Sequence, residues 1–349
     1  MSAVAAPAGS LDEAVPWHHG DPLAEQRTAA RGCVVVDRSN RDVLVVPGAD
    51  RLSWLHSLLS QHLTELSDGA ATEALLLDGN GRVERHLVLA DVGGRVWLDT
   101  EPGHGAELLT YLERMRFWSV VEPAASDHAV LSLLGPATPG VLAAAGLPEV
   151  ADGRAAAHGD DVLVRRLDWR TMPAVDVLVP RAAAAGWLAR LGEAGARPAG
   201  TLAYEALRVE ALRPRIGVDT DVRTIPHEAN WIGTAVHLEK GCYRGQETVA
   251  RVANLGRPPR RLLLLHLDGS DDLPATGDDV TLDGRVVGRV GTVVQHHELG
   301  PVALALVKNS TPVDAALTAG PAAASVDPDS VPPDTGEPAG RAALRRLRG

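Results

Sequence analysis

The sequence predicts an α+β fold of two mixed lobes followed by a small β-barrel, and three observations carry that prediction. Short apolar runs of strand length alternate with helical spacings as far as about residue 197. From about residue 258 the pattern changes to β-rich runs separated by Gly and Asp turns. At 349 residues the chain is also long enough for two or three domains.

Residues 1 to 27 show no periodicity and read as an arm that adds no core. CVVVD (Cys33 to Asp37) and DVLVVPG (Asp42 to Gly48) read as buried strands around the turn RSNR, with Cys33 a buried structural thiol. ADRLSWLHSLLSQHLTEL spaces Leu52, Leu55, Leu58, Leu59, Leu63 and Leu66 helically, with Asp50 as cap. EALLLDGNGRVERHLVLAD is a hairpin turning on Asp78, Gly79, Asn80 and Gly81. RVWLDT is a strand, ELLTYLERMRF from Glu107 a helix and WSVVEP a further strand, which completes a first lobe over residues 28 to 122.

HAVLSLLGP, VLVRRL and AVDVLVP, the helix AAAAGWLARLGEAG and the helix from Gly200 build a second lobe over residues 123 to 257. RRLLLLHLDG, DDVTLDGRVVGRVGTVVQHHELG and PVALALVKN form the barrel, residues 258 to 311. From Pro312 the composition turns to Ala, Pro and Asp, and residues 312 to 349 read as a disordered tail, with RAALRRLRG a solvated end.

A formal net charge of −11 argues against wholesale binding of nucleic acid or anionic membrane, although Arg251, Arg257, Arg260 and Arg261 could form a local basic patch. No apolar run reaches the roughly 18 residues that a membrane span requires. The amino terminus lacks the basic start and apolar block of a secretory signal, so the cytoplasm is the expected address. Two cysteines form no disulfide framework, and no Cys/His cluster suggests a stable metal site.

One octapeptide stands out. KGCYRGQE, Lys240 to Glu247, holds one of two lysines, one of two cysteines and one of three tyrosines within four positions. A thiol acts as nucleophile or metal ligand only as thiolate, and a neighbouring cation favours that form. If the segment is extended, Lys240 and Cys242 project from one face and can pair. Gly241 and Gly245 would admit a ligand close to backbone, and Tyr243 offers an aromatic surface with a hydroxyl. On residue chemistry alone, a plain loop with a buried cysteine and two turn glycines is an equal alternative.

KGCYRGQE followed by TVAR, with Gln246, Glu247 and Arg251, closely resembles the signature of the YgfZ family of folate-binding proteins, relatives of the glycine-cleavage T-protein (aminomethyltransferase). VPGADRLSWLHSLLSQHLTEL with the LLLDGNGRV hairpin, LRVEALRPRIGVDTD, IPHEANW and the β-rich segment resemble the rest of that family over residues 28 to 310. The resemblance implies a three-domain arrangement and a bound tetrahydrofolate or one-carbon derivative. Glu210 matches the carboxylate that contacts the pterin ring in the T-protein, a group able to accept paired hydrogen bonds from the ring. Lys240, Cys242 and Tyr243 are expected at the folate channel, Arg208 and Arg251 beside carboxylates, Trp231 at the pocket wall or in the core, and Pro226, Glu228 and Asn230 in a supporting turn.

One departure bears on chemistry. Where the T-protein strand carries paired aspartates, GRVERHL offers Arg85 and His86, and Asp78 and Glu84 are out of register. The resemblance therefore implies a folate-binding factor with Cys242 as functional thiol, and Lys240 to activate it or attract the folate tail. Such a factor supports iron–sulfur cluster assembly or repair and, through it, tRNA-modifying radical enzymes, and meets client proteins; a monomer is the default expectation. A tetrahydrofolate-dependent aminomethyl- or methyltransferase is the alternative, and a folate-sensing module with an inert cysteine a third. Whether any reaction is catalysed stays open at this level.

Overall fold

The computed structural model describes residues 3–332, which fall into two compact units. The first takes the chain up to His56, then His62–Ala74 and His86–Leu207. The second takes Ser57–Gln61, Leu75–Arg85 and the chain from Arg208 onward.

One eleven-stranded sheet has the spatial order Arg197–Ala199, Val34–Asp37, His128–Leu134, Ala174–Pro180, Val162–Arg166, Arg154–His158, Ala70–Leu77, Val83–Val92, Arg95–Thr100, Asp42–Pro47 and Ala124–Ser126. The sheet has two halves, one for each expected lobe, and they join where Arg154 pairs with Ala70. At that seam Ala155 N donates to Gly69 O and Ala71 N to Gly153 O, both at 2.8 Å.

The boundary expected at residue 122 is crossed twice. Val34–Asp37, from the first lobe's sequence, lies in the second half, between Arg197–Ala199 and His128–Leu134. Ala124–Ser126 pairs back onto Asp42–Pro47. Val34, Val35 and Val36 are buried on both faces, which suits an interior strand flanked on both sides. The core of this half joins Leu131, Leu133, Val175 and Val177 to Leu142 and Leu191 from the helices Thr138–Ala144 and Ala184–Glu193.

Three local expectations change. The amino-terminal arm is built rather than loose: Val4–Ala5 pairs with Pro16–His18, and Asp21 caps a helix over Pro22–Arg31 by accepting from Leu23 N and Ala24 N. That helix buries Glu25, Gln26 and Ala29, so its inward face carries polar residues that an apolar periodicity cannot reveal. Glu25 accepts from Gly200 N at 2.9 Å.

The helix expected from residue 49 to 66 covers only Arg51–Leu58. WSVVEP forms no strand: Ser119 N turns back onto Arg116 O, Phe117 has φ +43°, and Phe117, Trp118 and Val120 stand exposed. Among the described residues no helix is long and apolar enough to cross a membrane.

Charge lies inside the sheet as well. Asp99 is fully buried and binds both Arg41 and Arg165. Arg41 also reaches Glu101 at 2.7 Å, and Arg165 reaches Asp176 at 2.8 Å and donates to Val88 O at 3.0 Å. Ser132 Oγ donates to Asp176 at 2.6 Å. Burial disfavours charge on every member, yet the opposed partners hold the Asp99 carboxyl below its usual range and both guanidinium groups above theirs.

The second unit contains a closed six-stranded barrel, in the order Arg260–Leu267, Gly300–Lys308, Arg285–His296, Asp279–Leu282, Leu317–Ala319 and Ala322–Val326, the last pairing back onto the first. The barrel therefore does not end at residue 311. Its two closing strands lie in the stretch expected to be disordered, and there Leu317, Ala319, Ala322, Ala324 and Val326 point inward on alternate positions. Alanine reads as weak core on composition, but a small barrel has room for little more at a narrow point. The remainder of the expected tail, including RAALRRLRG, lies outside the described residues.

Candidate functional site around the KGCYRGQE motif

Residues 240 to 243 run as a loop and not as a strand, and the helix Gln246–Leu255 follows. Lys240 and Cys242 consequently part company. Lys240 is 7% exposed and its ammonium points inward, donating to Leu59 O and, at 3.1 Å, to Gln61 O, with Nζ 4.7 Å above the Tyr243 ring. Cys242 is exposed. The one-face pairing expected of these two side chains is not formed, because Lys240 is engaged by backbone carbonyls and an aromatic face instead.

The Lys240 partners explain the early end of the helix at Leu58. Beyond it Leu59 and Gln61 offer their carbonyls to Lys240, and Ser60 Oγ accepts from Leu75 N at 2.8 Å while donating to Ala235 O at 2.7 Å. Gln61 Nε2 donates to Thr234 O at 2.9 Å. Burial draws the Lys240 pKa down to about 8 and pushes that of Tyr243 up to about 12.

Tyr243 is buried in a cluster with Leu75, Leu77, Trp231, Val236 and Val249. Of the two places expected for Trp231, pocket wall or core, the structure gives the core, at 3% exposure. Gln246 ties the motif turn together, its Oε1 accepting from Tyr243 N and its N donating to Tyr243 O, both at 3.3 Å. Gly245 has φ +81°, and a Cβ there would lie 2.5 Å from Asp78 O and 2.7 Å from Gly81 Cα of the hairpin turn. Gly241 meets nothing within 4 Å of such a Cβ, so the chain's own backbone closes on Gly245 and not on Gly241. Glu247 and Arg251 are exposed on the helix, and Arg244 pairs with Glu84 at 3.2 Å.

Glu210 ends the helix Thr201–Glu210 and is partly exposed, with Oε2 3.4 Å from Nε2 of the buried His296. Arg208 is 4% exposed and tied to Asp219 at 2.7 Å, to Arg213 O at 2.9 Å and to Thr292 Oγ1. The carboxylate partner expected for Arg208 is Asp219, and the guanidinium joins the helix end to the barrel strand Arg285–His296. Glu228 is buried and structural: it accepts from Ile225 N and, with Asp221, holds Arg260. Arg260 is thereby neutralised and withdrawn from the basic patch that the sequence suggested. Asn230 takes the left-handed conformation, φ +59°, after the turn Pro226–Glu228.

At the positions where aspartates were looked for, His86 Nε2 lies 2.9 Å from Glu73 Oε2 and Arg85 donates to Glu84 O at 2.6 Å. Sequence reading missed Glu73, His296 and the buried Asp99 cluster. The available signal was a charged residue within an apolar strand pattern, as in VLVRRL, RVWLDT and VVQHH.

The two cysteines differ sharply. Cys33 is buried, its Sγ 3.4 Å from Thr138 Oγ1, and burial pushes its thiol pKa up despite that contact. A chromogenic disulfide reagent is expected to titrate one thiol rapidly in the folded protein and two in denaturant, with Cys242→Ser removing the fast equivalent. Two fast equivalents would contradict this placement.

Residues 12–240 match the family model described as GCVT N-terminal domain. The chain belongs to the GCVT family. Residues 260–333 of this GCVT chain match the CAF17, C-terminal beta-barrel domain, and the pairing of the two is that of the YgfZ/CAF17 family.

Among curated relatives, a protein of Arabidopsis thaliana named as a "putative transferase, chloroplastic" is 24% identical over 269 residues, 74% of this chain and 61% of the relative. The aminomethyltransferase of Methylococcus capsulatus is 27% identical over 218 residues, 61% of this chain and 60% of the relative. The match thus spans about three fifths of the length of these two proteins. The aminomethyltransferase of Streptomyces coelicolor is 25% identical over 310 residues, 84% of this chain and 83% of the relative. The crystal structure of glycine cleavage system aminomethyltransferase T from Bartonella henselae is similar with a TM-score of 0.83 and 21% identity, covering 92% of each chain. At that identity the likeness establishes the fold: the GCVT α+β architecture.

Proposed function

We propose that this GCVT-family chain is a tetrahydrofolate-binding factor of the YgfZ type, with Cys242 as its functional thiol, acting in the cytoplasm in support of iron–sulfur cluster assembly or repair. The observation that carries the reading is the division of labour inside the octapeptide. Lys240, Tyr243, Gly245 and Gln246 anchor the loop, and Cys242 alone among them is an exposed reactive group. Four anchors around one solvent-facing thiol suit a group that must be presented to a partner.

Glu210 suits the folate. Its carboxylate is partly exposed at a helix end, and it is an acceptor for the amino and N–H donors of a pterin ring. Bound tetrahydrofolate would supply or accept a one-carbon unit; the chain's own residues hold the ring at Glu210 and present the thiol at Cys242. The absence of an acid at residues 85 and 86 weighs against aminomethyl transfer, whereas the names of the relatives favour it.

Isothermal titration with 5-formyltetrahydrofolate is expected to show binding that Glu210→Ala weakens by about tenfold or more. Cys242→Ser is expected to bind the folate normally yet fail to restore iron–sulfur enzyme activities in cells that lack the gene. Full complementation by Cys242→Ser would sink the thiol assignment. Formation of methylene-tetrahydrofolate from an aminomethylated carrier protein would favour the transferase.

A further inference from the structure

The barrel strand Arg285–His296 meets the end of the helix Thr201–Glu210 through two pairs of side chains, Arg208 with Thr292 and Glu210 with His296. The first pair is a structural clasp completed by Asp219, whose Oδ1 accepts from Thr292 N at 2.7 Å and whose Oδ2 accepts from Arg215 N at 2.8 Å. The second pair has a different character.

His296 is buried, with its side chain 1% exposed. Its Nδ1 accepts from the backbone N–H groups of Glu298 at 3.3 Å and Leu299 at 3.1 Å. A neutral imidazole that accepts at Nδ1 carries its proton on Nε2. That nitrogen lies 3.4 Å from Glu210 Oε2 and closes no hydrogen bond. A buried donor left without an acceptor is costly, and the carboxylate beside it remains partly open to solvent.

We infer that His296 is a positioning residue for the ligand of Glu210. When the ligand binds, its Nε2–H closes onto Oε2 from the barrel side and leaves Oε1 for a planar, N–H-bearing heterocycle. The inference rests on the folate reading for the identity of that heterocycle, an aminopyrimidinone ring. Under it the barrel does more than pack: it sets the orientation of an acceptor carried by a helix of the GCVT domain.

The test uses the full chain, with 5-formyltetrahydrofolate as the probe. His296→Leu is expected to weaken binding about tenfold, and His296→Gln, which keeps an N–H donor at similar reach, to recover most of that loss. In a Glu210→Gln background the His296→Leu step is expected to cost much less, because the two residues act as a unit. Equal affinity of His296→Leu and wild type, equal loss in the Leu and Gln variants, or full additivity with Glu210→Gln would each overturn the inference.

A ligand-free measurement separates it from the folate reading. Long-range 15N–1H correlation spectra are expected to show the His296 proton on Nε2, with a resonance that shifts in Glu210→Gln. If wild type binds no folate but this coupling is present, the folate reading fails and the positioning contact stands. A proton on Nδ1, or a His296 resonance indifferent to Glu210→Gln, overturns the positioning role whatever the ligand.

Discussion

Asp99→Ala is expected to lower the free energy of unfolding by about 3–5 kcal/mol, read from denaturant titration. Asp99 is fully buried between Arg41 and Arg165, and each guanidinium retains only one other carboxylate, Glu101 or Asp176. Removing the shared anion leaves two buried cations, each short of a partner, in a place where water cannot replace it. Asp99→Asn keeps the shape and loses the charge, so a similar loss is expected.

The sign of the pH dependence follows. Burial raises the Asp99 pKa, but Arg165 and Arg41 outweigh it and hold the carboxyl below the usual carboxylate range. Its contribution is therefore full above the unfolded carboxylate pKa of about 4 and disappears as pH falls through the lower folded value. Arg181 and Asp127 provide the control, since that exposed pair at 3.1 Å is expected to be worth about 0–1 kcal/mol. Equal effects at the two sites would mean that Asp99 is not desolvated as described.

Gly245→Ala is the second large effect, with an expected cost of about 2–4 kcal/mol. The residue occupies the left-handed region at φ +81°, where a Cβ is strained. The same Cβ would meet backbone atoms, Asp78 O at 2.5 Å and Gly81 Cα at 2.7 Å, which cannot swing aside as a side chain does. Gly81 faces the same difficulty from the other direction, with Gly245 O and Thr248 Cβ each 2.8 Å from its own would-be Cβ. The two turns interlock through their lack of side chains. Gly241→Ala, in open space two residues from Lys240's neighbour Tyr243, is expected to change stability by less than about 1 kcal/mol. A Gly245→Ala protein as stable as Gly241→Ala would refute the interlock.

How far the sequence could be read depended on the range of the interaction involved. Strand alternation and turn residues are local, and the hairpin on either side of Asp78 to Gly81 appears where the pattern puts it. The Asp99 cluster is invisible by the same means, because Arg41 and Asp99 are 58 residues apart and neither side chain announces a partner. The closing barrel strands were obscured by alanine, whose low hydrophobicity hides a period of two. In the octapeptide, the scarcity of Lys and Cys marked the place. It could not tell that Lys240 turns inward to Leu59 and Gln61 while Cys242 stays outside, since those carbonyls lie about 180 residues earlier in the chain.

That separation also has a consequence for biosynthesis. Ser60 finds its acceptor at Ala235, 175 residues later, and Gln61 receives Lys240 after 179. At ribosomal speeds of about 5–20 residues per second, residues 57 to 61 and 75 to 85 emerge roughly 10–35 s before the segment they join. During that interval Leu75 and Leu77 have no cluster to enter, and the nascent hairpin tip is a natural target for a holding chaperone.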